Sequence, residues 1–554
     1  MINVNTVQTD LLIVGAGPSG LATAIHLANL FKKHELSRRI LLIEKGSAVG
    51  SHILSGAVIR TAVFKELLPD VDVADIPLSA QVKKDKLLFL LNKSKSIKLP
   101  VHPPYMSNKG TYTVSLGAIC QFLASIAEEK GVEIYPGFAA NEILYTPEGK
   151  ICGVKTMDTG INHHGEKMDN FQPGTRIDAK LTIFAEGSRG NLTKTVIEKF
   201  DLQKGKNPQI YSLGCKEIWT LPEPNIKEGE VYHTMGYPLN FHEFGGGFIH
   251  GLSKNRIAVG LVVGLDYVDP TFDIYSAFQI WKTHPFVAKI LKNGKLTKFG
   301  AKTLPEGGYY SLPKLYTDNA LIVGDGAGFV TMPALKGVHL AIKSGMLAAE
   351  TALSAFCNND FSEQSLQIFE DKINASSIYK EMYPVRNFRQ AFAKGLIKGA
   401  FLFGTQLISC GAGFSGKLKV HSDADTTKKV KDFSGKRFKD RFKDHLEVDK
   451  ELVFDKMTAV FHSGTHHDEN QICHLKVNNP NTFQSVNIEQ YDAPCQYFCP
   501  ADVYEIHTDR NGKKNIRIHF ENCLHCKTCD IKEVGNGITW SCPNGDNGPE
   551  YQNM

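Results

Sequence analysis

The chain opens with an apolar run that changes its periodicity at a glycine-rich turn. Residues 10–14 (DLLIV) are almost all apolar, which is typical of a buried parallel strand. After the turn at residues 15–20 (GAGPSG), apolar residues recur at helical spacing from Leu21 to Ala28. A second apolar run, residues 39–44 (RILLIE), follows the helix. This order predicts a β-α-β unit.

Later apolar runs extend the prediction to the rest of the chain. Residues 179–187 (AKLTIFAEG) and 319–328 (NALIVGDGAG) each indicate a further strand of the same sheet. Between them, residues 205–310 are rich in glycine, aromatic residues and alternating apolar positions, which favours a mostly antiparallel sheet. We therefore predict an α/β (α+β multidomain) protein in which a second domain is inserted into the first.

Composition and charge remove some functions. The chain has 554 residues, of which 42% are hydrophobic and 22% charged, the balance of an ordinary globular protein. The formal net charge of +5 is too weak to indicate nucleic acid, and no basic-aromatic stripe supports such a partner. The first residues (MINVNTVQTD) match neither a signal peptide nor a transit peptide. We expect a bacterial protein on the cytoplasmic side, or a mature organellar protein without its presequence.

Three glycines in the first turn have the spacing of a dinucleotide-binding motif. Gly15 permits the tight turn, Gly17 lets a pyrophosphate approach the backbone, and Gly20 lets the helix pack closely on the strand. The start of the helix offers backbone N–H groups and a positive dipole end to the phosphates. Glu44 ends the second strand, where a carboxylate bonds a ribose hydroxyl. These residues predict a nucleotide cofactor rather than an ordinary turn, but they leave FAD and NAD open.

A second glycine-rich segment decides between FAD and NAD. Residues 324–328 (GDGAG) follow a late strand and resemble the second FAD signature of the glutathione-reductase-like flavoproteins. The resemblance implies that Asp325 holds the ribityl chain, with Gly324 and Gly328 among the cofactor-binding residues. A helix starting near Gly337 would point its N-terminus, and the favourable end of its dipole, at the flavin pyrimidine edge.

The cysteines crowd towards the C-terminal end, which favours metal ligation over disulfides in a chain without a secretory signal. Cys523, Cys526 and Cys529 have the C-x2-C-x2-C spacing of a bacterial-type ferredoxin, whose loop holds three corners of a [4Fe–4S] cluster. The fourth thiolate comes from a remote Cys-Pro pair. Cys499 and Cys542 both precede proline, and the ferredoxin pattern favours Cys499. A structural zinc site is the alternative, but it usually has two separate C-x2-C pairs.

Four histidines lie shortly before this motif. Their spacing fits no zinc pattern on a helix face, so we interpret them as part of a solvated loop: His462, His466, His467 and His474. No Ser-His-Asp or paired-carboxylate arrangement stands out, so the sequence does not favour hydrolytic chemistry.

Two apolar segments are candidates for contact with a membrane surface. Residues 399–416 (GAFLFGTQLISCGAGFSG) carry no charge and have lysines on both sides, but they are too short and glycine-rich to span a bilayer. Such a segment is suited to lie in the interface. The second segment is residues 62–68 (AVFKELL). Each segment is equally compatible with an ordinary core, and a lipid-soluble substrate would favour the membrane.

Along essentially its whole length the chain resembles the electron-transfer flavoprotein–ubiquinone oxidoreductase family. The matching stretches are VGAGPSGLATAIHLA, SHILSGAV, FKELLPD, TIFAEGSRG, LVVGLDYVDP, LPEGGYYSLPKL, LKGVHLAIKSGMLAAE, FCPADVYE, NCLHCKTCDIK and GPEYQNM. The resemblance implies an electron-transferring-flavoprotein dehydrogenase that takes electrons from reduced electron-transfer flavoprotein. It implies reduction of ubiquinone to ubiquinol through one [4Fe–4S] cluster and FAD, which links fatty-acid and amino-acid oxidation to the respiratory chain.

The same resemblance implies positions for the sites. It assigns the cluster to four ligands, Cys499, Cys523, Cys526 and Cys529. The contact with the quinone carbonyl falls on Gly307 and Gly308. The segment embedded in the membrane corresponds to about Val49–Asp70, together with residues 399–416. The membrane would be the mitochondrial inner membrane on its matrix face, or a bacterial inner membrane on its cytoplasmic face.

The resemblance also implies three packed parts. They are a glutathione-reductase-type FAD domain (1–60, 105–205 and 311–356), a ubiquinone domain (61–104 and 206–310), and a helical segment with a ferredoxin-like iron–sulfur domain (357–554, cluster motif 495–530). Two residues depart from the family pattern: Cys542, in a tail usually free of cysteine, and Thr331, where many relatives have asparagine. The alternatives are a nitrogen-fixation flavoprotein fused to its ferredoxin, and a flavin monooxygenase with a structural zinc tail.

Overall fold

A computed structural model of the chain describes residues 5–56, 58–100, 104–223, 225–393, 395–409, 416–443 and 446–554. Two large apolar cores organise these residues. The first surrounds a mainly parallel sheet. The second joins an antiparallel sheet to the cysteine-rich segment, whose buried cysteines are part of that core. The described chain is thus a mixed α/β structure, as the sequence predicts.

The first core is built on an eight-stranded sheet. Six strands run in the order Tyr316–Thr317, Ala320–Ile322, Arg176–Phe184, Thr6–Val14, Ile40–Glu44 and Glu133–Pro136, and Ala140–Tyr145 and Ile151–Thr156 complete the sheet. Leu11 pairs in parallel with both Leu181 and Ile40. The predicted β-α-β unit is present, with the helix Pro18–Lys33 between its strands. The helices Leu116–Glu129 and Val338–Asn358 pack in the same core.

The second sheet has seven strands. Their order is Lys295–Pro305, Tyr211–Thr220, Arg256–Gly264, Gly245–Ser253, Glu230–Gly236, Lys84–Leu90 and Ser96–Lys98. All neighbours are antiparallel except Lys84–Leu90, which pairs in parallel with Glu230–Gly236. The helices Ile274–Lys282 and Pro285–Leu291 pack in its core. The mostly antiparallel sheet predicted for residues 205–310 is therefore present.

The structure divides the predicted range 61–104 between the two cores. The helix Ala62–Leu67 buries Val63, Phe64 and Leu67 in the first core, beside the parallel sheet. Lys84–Leu90 instead joins the antiparallel sheet. The chain therefore passes from the first core to the antiparallel sheet after the helix Ala62–Leu67, not before it.

The C-terminal part combines short helices with two small sheets. Leu475–Val477 pairs with Ile538–Trp540, and Tyr504–Thr508 pairs with Lys514–Ile518, both antiparallel. The helices beyond residue 360 are Glu363–Leu366, Ile368–Ala375, Ser377–Met382, Phe388–Phe392, Leu396–Ile408, Phe438–Arg441, Lys456–Ser463, Pro480–Thr482, Glu489–Tyr491, Cys495–Phe498 and Thr528–Lys532. The other elements include the helix Asn191–Lys199, the π-helix Phe483–Ile488, short 3₁₀ helices, and the strands Val58–Ile59, Leu78–Gln81, Tyr112–Val114, Thr159–Ile161 and Lys167–Gln172.

Among the described residues, one helix has the length and composition needed to cross a membrane. It is Val338–Asn358, with 21 residues. Most of the helix is buried, and it packs in the first core together with Pro18–Lys33. Burial of this kind is typical of a core helix.

Candidate functional site

One large cavity of about 1320 Å³ is lined by both sheets and by the C-terminal segment. Gly17 and Glu44 line it from the parallel sheet, and Asp325 and Gly337 line it from the segment before the long helix. Lys216 and its neighbours line it from the antiparallel sheet. The two glycine-rich segments identified in the sequence therefore face one common space.

The three glycines of the first motif differ in the structural reason for having no side chain. Gly15 has φ +107°, and a Cβ there would lie 2.5 Å from Ala185 O. A Cβ at Gly20 would lie 2.1 Å from Gly15 O, so this glycine lets the helix meet the strand. A Cβ at Gly17 would meet nothing within 4 Å. The protein itself therefore does not require a glycine at this position on the helix N-terminus, whereas a pyrophosphate lying against the backbone does.

Glu44 stabilises the turn and also faces the cavity. Its Oε2 accepts a hydrogen bond from Ala16 N at 2.9 Å, and its Oε1 accepts one from Gly46 N at 2.9 Å. A carboxylate oxygen can accept more than one hydrogen bond, so these contacts leave room for a ribose hydroxyl. The structure thus places Glu44 beside the first turn, where the sequence analysis expects it.

The second glycine-rich segment brings a carboxyl group into the cavity. Burial raises the pKa of Asp325 to about 6, and the charge of Lys302 opposes that shift. Gly324 (φ +62°) and Gly328 (φ +94°) shape the turn, and Cβ atoms there would meet Ser19 and Gln209. Neither of these glycines lines the cavity, whereas Asp325 and Gly337 do. Gly337 directly precedes the helix Val338–Asn358, whose N-terminus therefore opens onto the cavity.

Four cysteines line a second, small cavity. They are Cys499, Cys523, Cys526 and Cys529. Burial raises the pKa of each thiol, to about 12 for Cys499. Such thiols become thiolates when a cation compensates their charge, which iron does in a cluster. Cys542 lines the large cavity instead, and Cys495 lines neither. The donor set therefore fits a four-thiolate cluster.

Two hydroxyl groups approach the sulfur atoms of this set. Thr528 Oγ1 lies 3.4 Å from Cys526 Sγ. The hydroxyl of Tyr504 is buried and has no hydrogen-bond partner of normal geometry among the described residues. Burial and the neighbouring thiols raise the pKa of Cys529, and a hydrogen-bond interaction with Tyr504 opposes that increase. Both hydroxyls are thus placed to donate to thiolate sulfur.

The two cavities share walls. Thr303 lines the large cavity and donates a hydrogen bond to the backbone carbonyl of Cys526 at 2.7 Å. Lys527 lines both cavities, and its ammonium group lies 4.8 Å from the centre of the Trp540 ring. Trp540 also lines the large cavity. The loop that holds Cys523, Cys526 and Cys529 therefore directly contacts the wall of the large cavity.

Buried histidines pack beside the cysteine ligand loop. His467 and His474 are 4% and 2% exposed and stack with ring centres 5.2 Å apart, so the interpretation of these two as part of a solvated loop is wrong. His467 Nε2 lies 2.9 Å from His525 Nε2, and His525 Nδ1 lies 2.9 Å from Lys45 Nζ. Folding against the C-terminal tail and the ligand loop covers these rings. Sequence spacing does not reveal such long-range packing.

Gly307 and Gly308 lie outside the cavity. The N–H of Gly307 donates to Gln209 Oε1 at 2.7 Å, and its carbonyl accepts from Gln390 Nε2 at 2.6 Å. Neither glycine lines the large cavity, although Glu306 does. The backbone groups of Gly307 have internal partners, and the expected contact of these glycines with a quinone carbonyl stays a prediction.

A different run of glycines lines the cavity. Residues 245–247 (GGG) begin the strand Gly245–Ser253, and all three line the large cavity. A strand without side chains lets a ligand approach its backbone closely. Three consecutive glycines inside an apolar strand were the sequence signal for this wall. By its apolar alternation this segment predicts a strand, and its three glycines add the prediction of a close approach to the backbone.

The two predicted membrane segments differ in exposure. Between Val49 and Asp70 the large apolar side chains are mostly core, with Phe64 and Leu67 each 1% exposed. Protein covers these side chains, and the embedding of the segment in a membrane stays a prediction. The helix Leu396–Ile408 instead exposes Ile397 and Phe401, each at 73%. Residues 410–415 of the second segment lie outside the described residues.

A glycine-turn cofactor cavity that shares walls with a four-thiol cavity defines a class, the flavoproteins that carry an iron–sulfur domain. Comparisons with known proteins agree. Residues 450–552 match the family model described as electron transfer flavoprotein-ubiquinone oxidoreductase, 4Fe-4S, and residues 211–304 match the model ETF-QO, ubiquinone-binding. Residues 13–69 match the model of an NAD(P)-binding Rossmann-like domain.

Full-length relatives give the family. The mitochondrial electron transfer flavoprotein-ubiquinone oxidoreductase of Dictyostelium discoideum is 40% identical over 99% of this chain and 91% of its own length. The human mitochondrial protein of that name is 38% identical over 99% of this chain and 89% of its own. A bacterial protein from Acinetobacter baylyi, named a probable member, is 38% identical over the whole of both chains. The chain therefore belongs to the electron transfer flavoprotein–ubiquinone oxidoreductase family.

A solved structure supports the fold alone. A geranylgeranyl bacteriochlorophyll reductase-like protein from Thermoplasma acidophilum is similar over 75% of this chain and 94% of its own, with a TM-score of 0.55 and 18% identity. The family assignment confirms the predicted fold class, FAD and the [4Fe–4S] cluster. It decides against the zinc-tailed monooxygenase and against the fused nitrogen-fixation flavoprotein. The relatives include mitochondrial and bacterial proteins, as the sequence analysis expects.

Proposed function

We propose that the chain transfers electrons from reduced electron-transfer flavoprotein to ubiquinone, with the cluster as the point of input and FAD as the relay. The observation that carries this proposal is the wall shared by the two cofactor cavities. Thr303 joins the Cys526 carbonyl to the flavin cavity through one hydrogen bond. Lys527 contributes to both cavities. The family resemblance over the whole chain gives the donor and the acceptor their chemical identity.

Residues of this chain hold the two cofactors. The four cysteines Cys499, Cys523, Cys526 and Cys529 are the proposed cluster ligands. Gly17 receives the pyrophosphate of FAD on the turn that Gly15 and Gly20 make possible, and Glu44 bonds a ribose hydroxyl. Asp325 bonds the ribityl chain, with Gly337 at the helix N-terminus beside the flavin. When bound, the cluster supplies one-electron transfer and FAD supplies both one- and two-electron transfer.

We place the quinone in the part of the large cavity that residues 245–247 line. Val262, Met235 and Phe248 line the same part of the sheet face. Val262 pairs with Gly246 across the sheet, which puts these residues side by side. Apolar side chains suit the quinone ring and tail, and a glycine backbone suits the head oxygen.

The mouth of this cavity is proposed to rest on a membrane surface. Leu91, Phe241 and Leu335 line the cavity and are still 50%, 56% and 50% exposed. Leu396 N donates to Phe241 O at 2.8 Å, which places the helix Leu396–Ile408 at the same mouth. The exposed side chains of that helix include the apolar Ile397 and Phe401 and the charged Lys398. An apolar rim that surrounds the opening would let a lipid-soluble quinone enter directly from the bilayer.

Flotation with liposomes tests the membrane surface. The double variant Ile397→Ser/Phe401→Ser should leave the liposome fraction, whereas Phe461→Ser should stay in it. Phe461 is the matched control because it is 80% exposed but lies on the helix Lys456–Ser463, in the iron–sulfur part. A double variant that floats like the wild type would contradict the proposed surface.

Loss of the cluster tests the direction of electron transfer. Cys526→Ala should abolish quinone reduction driven by reduced electron-transfer flavoprotein, even in protein that retains FAD. An absorption spectrum and iron and acid-labile sulfide contents establish which cofactors each preparation holds. Turnover that survives without the cluster would overturn the proposed order.

A further inference from the structure

Two lysine-rich segments border the opening of the large cavity. The first, the hairpin segment, is residues 91–98 (LNKSKSIK), which contain three lysines and no acidic residue. The second, the basic segment, is residues 428–443 (KKVKDFSGKRFKDRFK), which contain eight lysine and arginine residues and two aspartates. The formal net charge of the whole chain is only +5, so positive charge is concentrated in these two segments.

Both segments reach the cavity itself. Leu91 and Leu99, at the two ends of the hairpin segment, line the cavity. From the basic segment, Lys428, Phe433 and Ser434 line it. The cations therefore lie beside the apolar rim that is proposed to rest on a membrane.

Internal contacts fix the two segments next to each other. The N–H of Tyr237 donates to the carbonyl of Leu90, directly before the hairpin segment, at 2.9 Å. The ring centre of Tyr237 lies 6.1 Å from that of Phe442 in the basic segment. Arg441 Nη2 donates to Oε1 of Glu243, which also lines the cavity, at 2.6 Å. The basic segment is thus a folded part of the opening.

The cations of the two segments fall into two groups. Three of them form salt bridges within the protein: Arg437 with Asp440, Lys439 with Asp492, and Arg441 with Glu243. The others that are fully exposed form no salt bridge among the described residues: Lys93, Lys95, Lys98, Lys428, Lys431, Lys436 and Lys443. The first group holds the basic segment in place, and the second group presents unneutralised charge to the outside.

Exposed apolar side chains lie among these cations. Ile97, which is 50% exposed, stands between Lys95 and Lys98 in the hairpin segment. Phe241 and Phe401 are the neighbouring exposed aromatic side chains of the opening and of the helix beside it. Apolar groups flanked by lysines are typical of a surface that lies in a membrane interface, because the apolar groups enter the acyl boundary while the ammonium groups stay among the head groups.

We propose that the hairpin segment and the basic segment bind the head groups of anionic phospholipids, so that the cavity opening docks preferentially on negatively charged membranes. The inference rests on the proposed function, in which ubiquinone enters through this opening. Each lysine close to an anionic surface strengthens binding about fivefold. This attraction adds to the insertion of the apolar rim, and it also orients the opening towards the bilayer.

Binding of the holoenzyme to two kinds of vesicle tests the proposal. One kind is phosphatidylcholine alone, and the other is equal parts of phosphatidylcholine and phosphatidylglycerol. The wild type should bind the anionic vesicles more than about 100-fold more tightly than the neutral ones. Raising the salt concentration from about 0.1 M to about 1 M should remove most of this preference, because the Debye length falls from about 10 Å to about 3 Å.

Substitutions of the lysines locate the effect. Lys93→Gln/Lys95→Gln/Lys98→Gln should lower the affinity for anionic vesicles about 100-fold, and Lys431→Gln/Lys436→Gln about 30-fold. Neither variant should change the affinity for neutral vesicles. Lys93→Arg/Lys95→Arg/Lys98→Arg should bind like the wild type, because the charge is kept.

Two further variants serve as controls. Lys32→Gln/Lys33→Gln/Lys130→Gln removes the same charge from exposed lysines that do not line the cavity, and it should bind like the wild type. Ile397→Ser/Phe401→Ser should instead weaken binding to both kinds of vesicle. FAD and iron contents show that each variant has assembled before its binding is measured.

Three results would overturn the inference. The first is equal affinity of the wild type for both kinds of vesicle, and the second is wild-type binding by the triple glutamine variant of the hairpin segment. The third is a lysine variant that binds vesicles normally but has a raised KM for reduced electron-transfer flavoprotein in a vesicle-free assay, which would assign the lysines to docking of the donor. A wild type that binds neither kind of vesicle would contradict the proposed membrane surface itself.

Discussion

The four-thiol cavity takes all its cysteines from residues 499–529, whereas the large cavity is lined by residues from Val14 to Cys542. Three of the four thiols are fixed by one short loop, so their spacing in the sequence already describes their geometry. The large cavity has no such local description, because two sheets and the tail meet there. The comparison shows why the sequence predicts the cluster ligands reliably, and why it does not predict which residues line the large cavity.

The largest expected effect tests whether the fourth cluster ligand comes from the small cavity. Cys499→Ser should lose the cluster, because Cys499 lines that cavity with the three loop cysteines. Cys542→Ser is the matched control, since Cys542 also precedes proline but lines the large cavity. Iron and sulfide contents and the EPR signal of the reduced protein measure the outcome. The opposite pattern in these two variants would mean that the fourth ligand comes from the tail.

A substitution at Gly17 tests whether the large cavity binds the pyrophosphate of FAD. Gly17→Val should lower FAD occupancy about tenfold or more, because the side chain takes the space of the pyrophosphate. The fold should survive, because a Cβ there meets nothing within 4 Å. Flavin content and circular dichroism measure the two effects separately. Gly20→Val should instead prevent folding, since its Cβ would lie 2.1 Å from Gly15 O. Normal flavin content in Gly17→Val would remove the pyrophosphate assignment.

A third, smaller effect concerns the stability of the strand Tyr211–Thr220, which has the large cavity on one face and the second core on the other. Lys282→Met leaves the Glu217 carboxylate buried and unpaired, which should cost about 3–5 kcal/mol of stability. Lys216→Met leaves no carboxylate behind and should cost much less. Unfolding midpoints in urea compare the two variants. Adding Glu217→Gln to Lys282→Met should recover part of the loss. Equal unfolding midpoints for Lys282→Met and Lys216→Met would contradict the expected difference in stability between the two faces of this strand.

The smallest expected effect concerns the potential of the cluster. Hydroxyl donors stabilise the more negative reduced state, so Thr528→Ala and Tyr504→Phe should each lower the midpoint potential. One hydrogen bond of about 1 kcal/mol corresponds to about 40 mV for a one-electron couple. Redox titration followed by EPR measures the shift, with iron content as the check that the cluster remains. Unchanged potentials in both variants would leave these hydroxyls without influence on the cluster.

Local patterns predicted much of this molecule. The β-α-β unit and the antiparallel sheet follow from period and turn chemistry, whereas the resemblance to a flavoprotein signature indicated that the second glycine segment meets the same cofactor as the first. A glycine pair in sequence does not show that Gln209 and Gln390 bond the backbone groups of Gly307, because these contacts are long-range. The sequence also does not show that a protein core covers Phe64, because an apolar helix has the same pattern whether a membrane or a core covers it.

The second apolar core has a consequence for how the protein matures. Cys499, Cys523, Cys526 and Cys529 belong to the same core as the strands that form the cavity wall. Delivery of iron and sulfide during biogenesis would therefore tighten the packing behind the cavity wall as well as complete the electron path. We expect limited proteolysis to cut residues 205–310 faster in cluster-free protein than in the mature form.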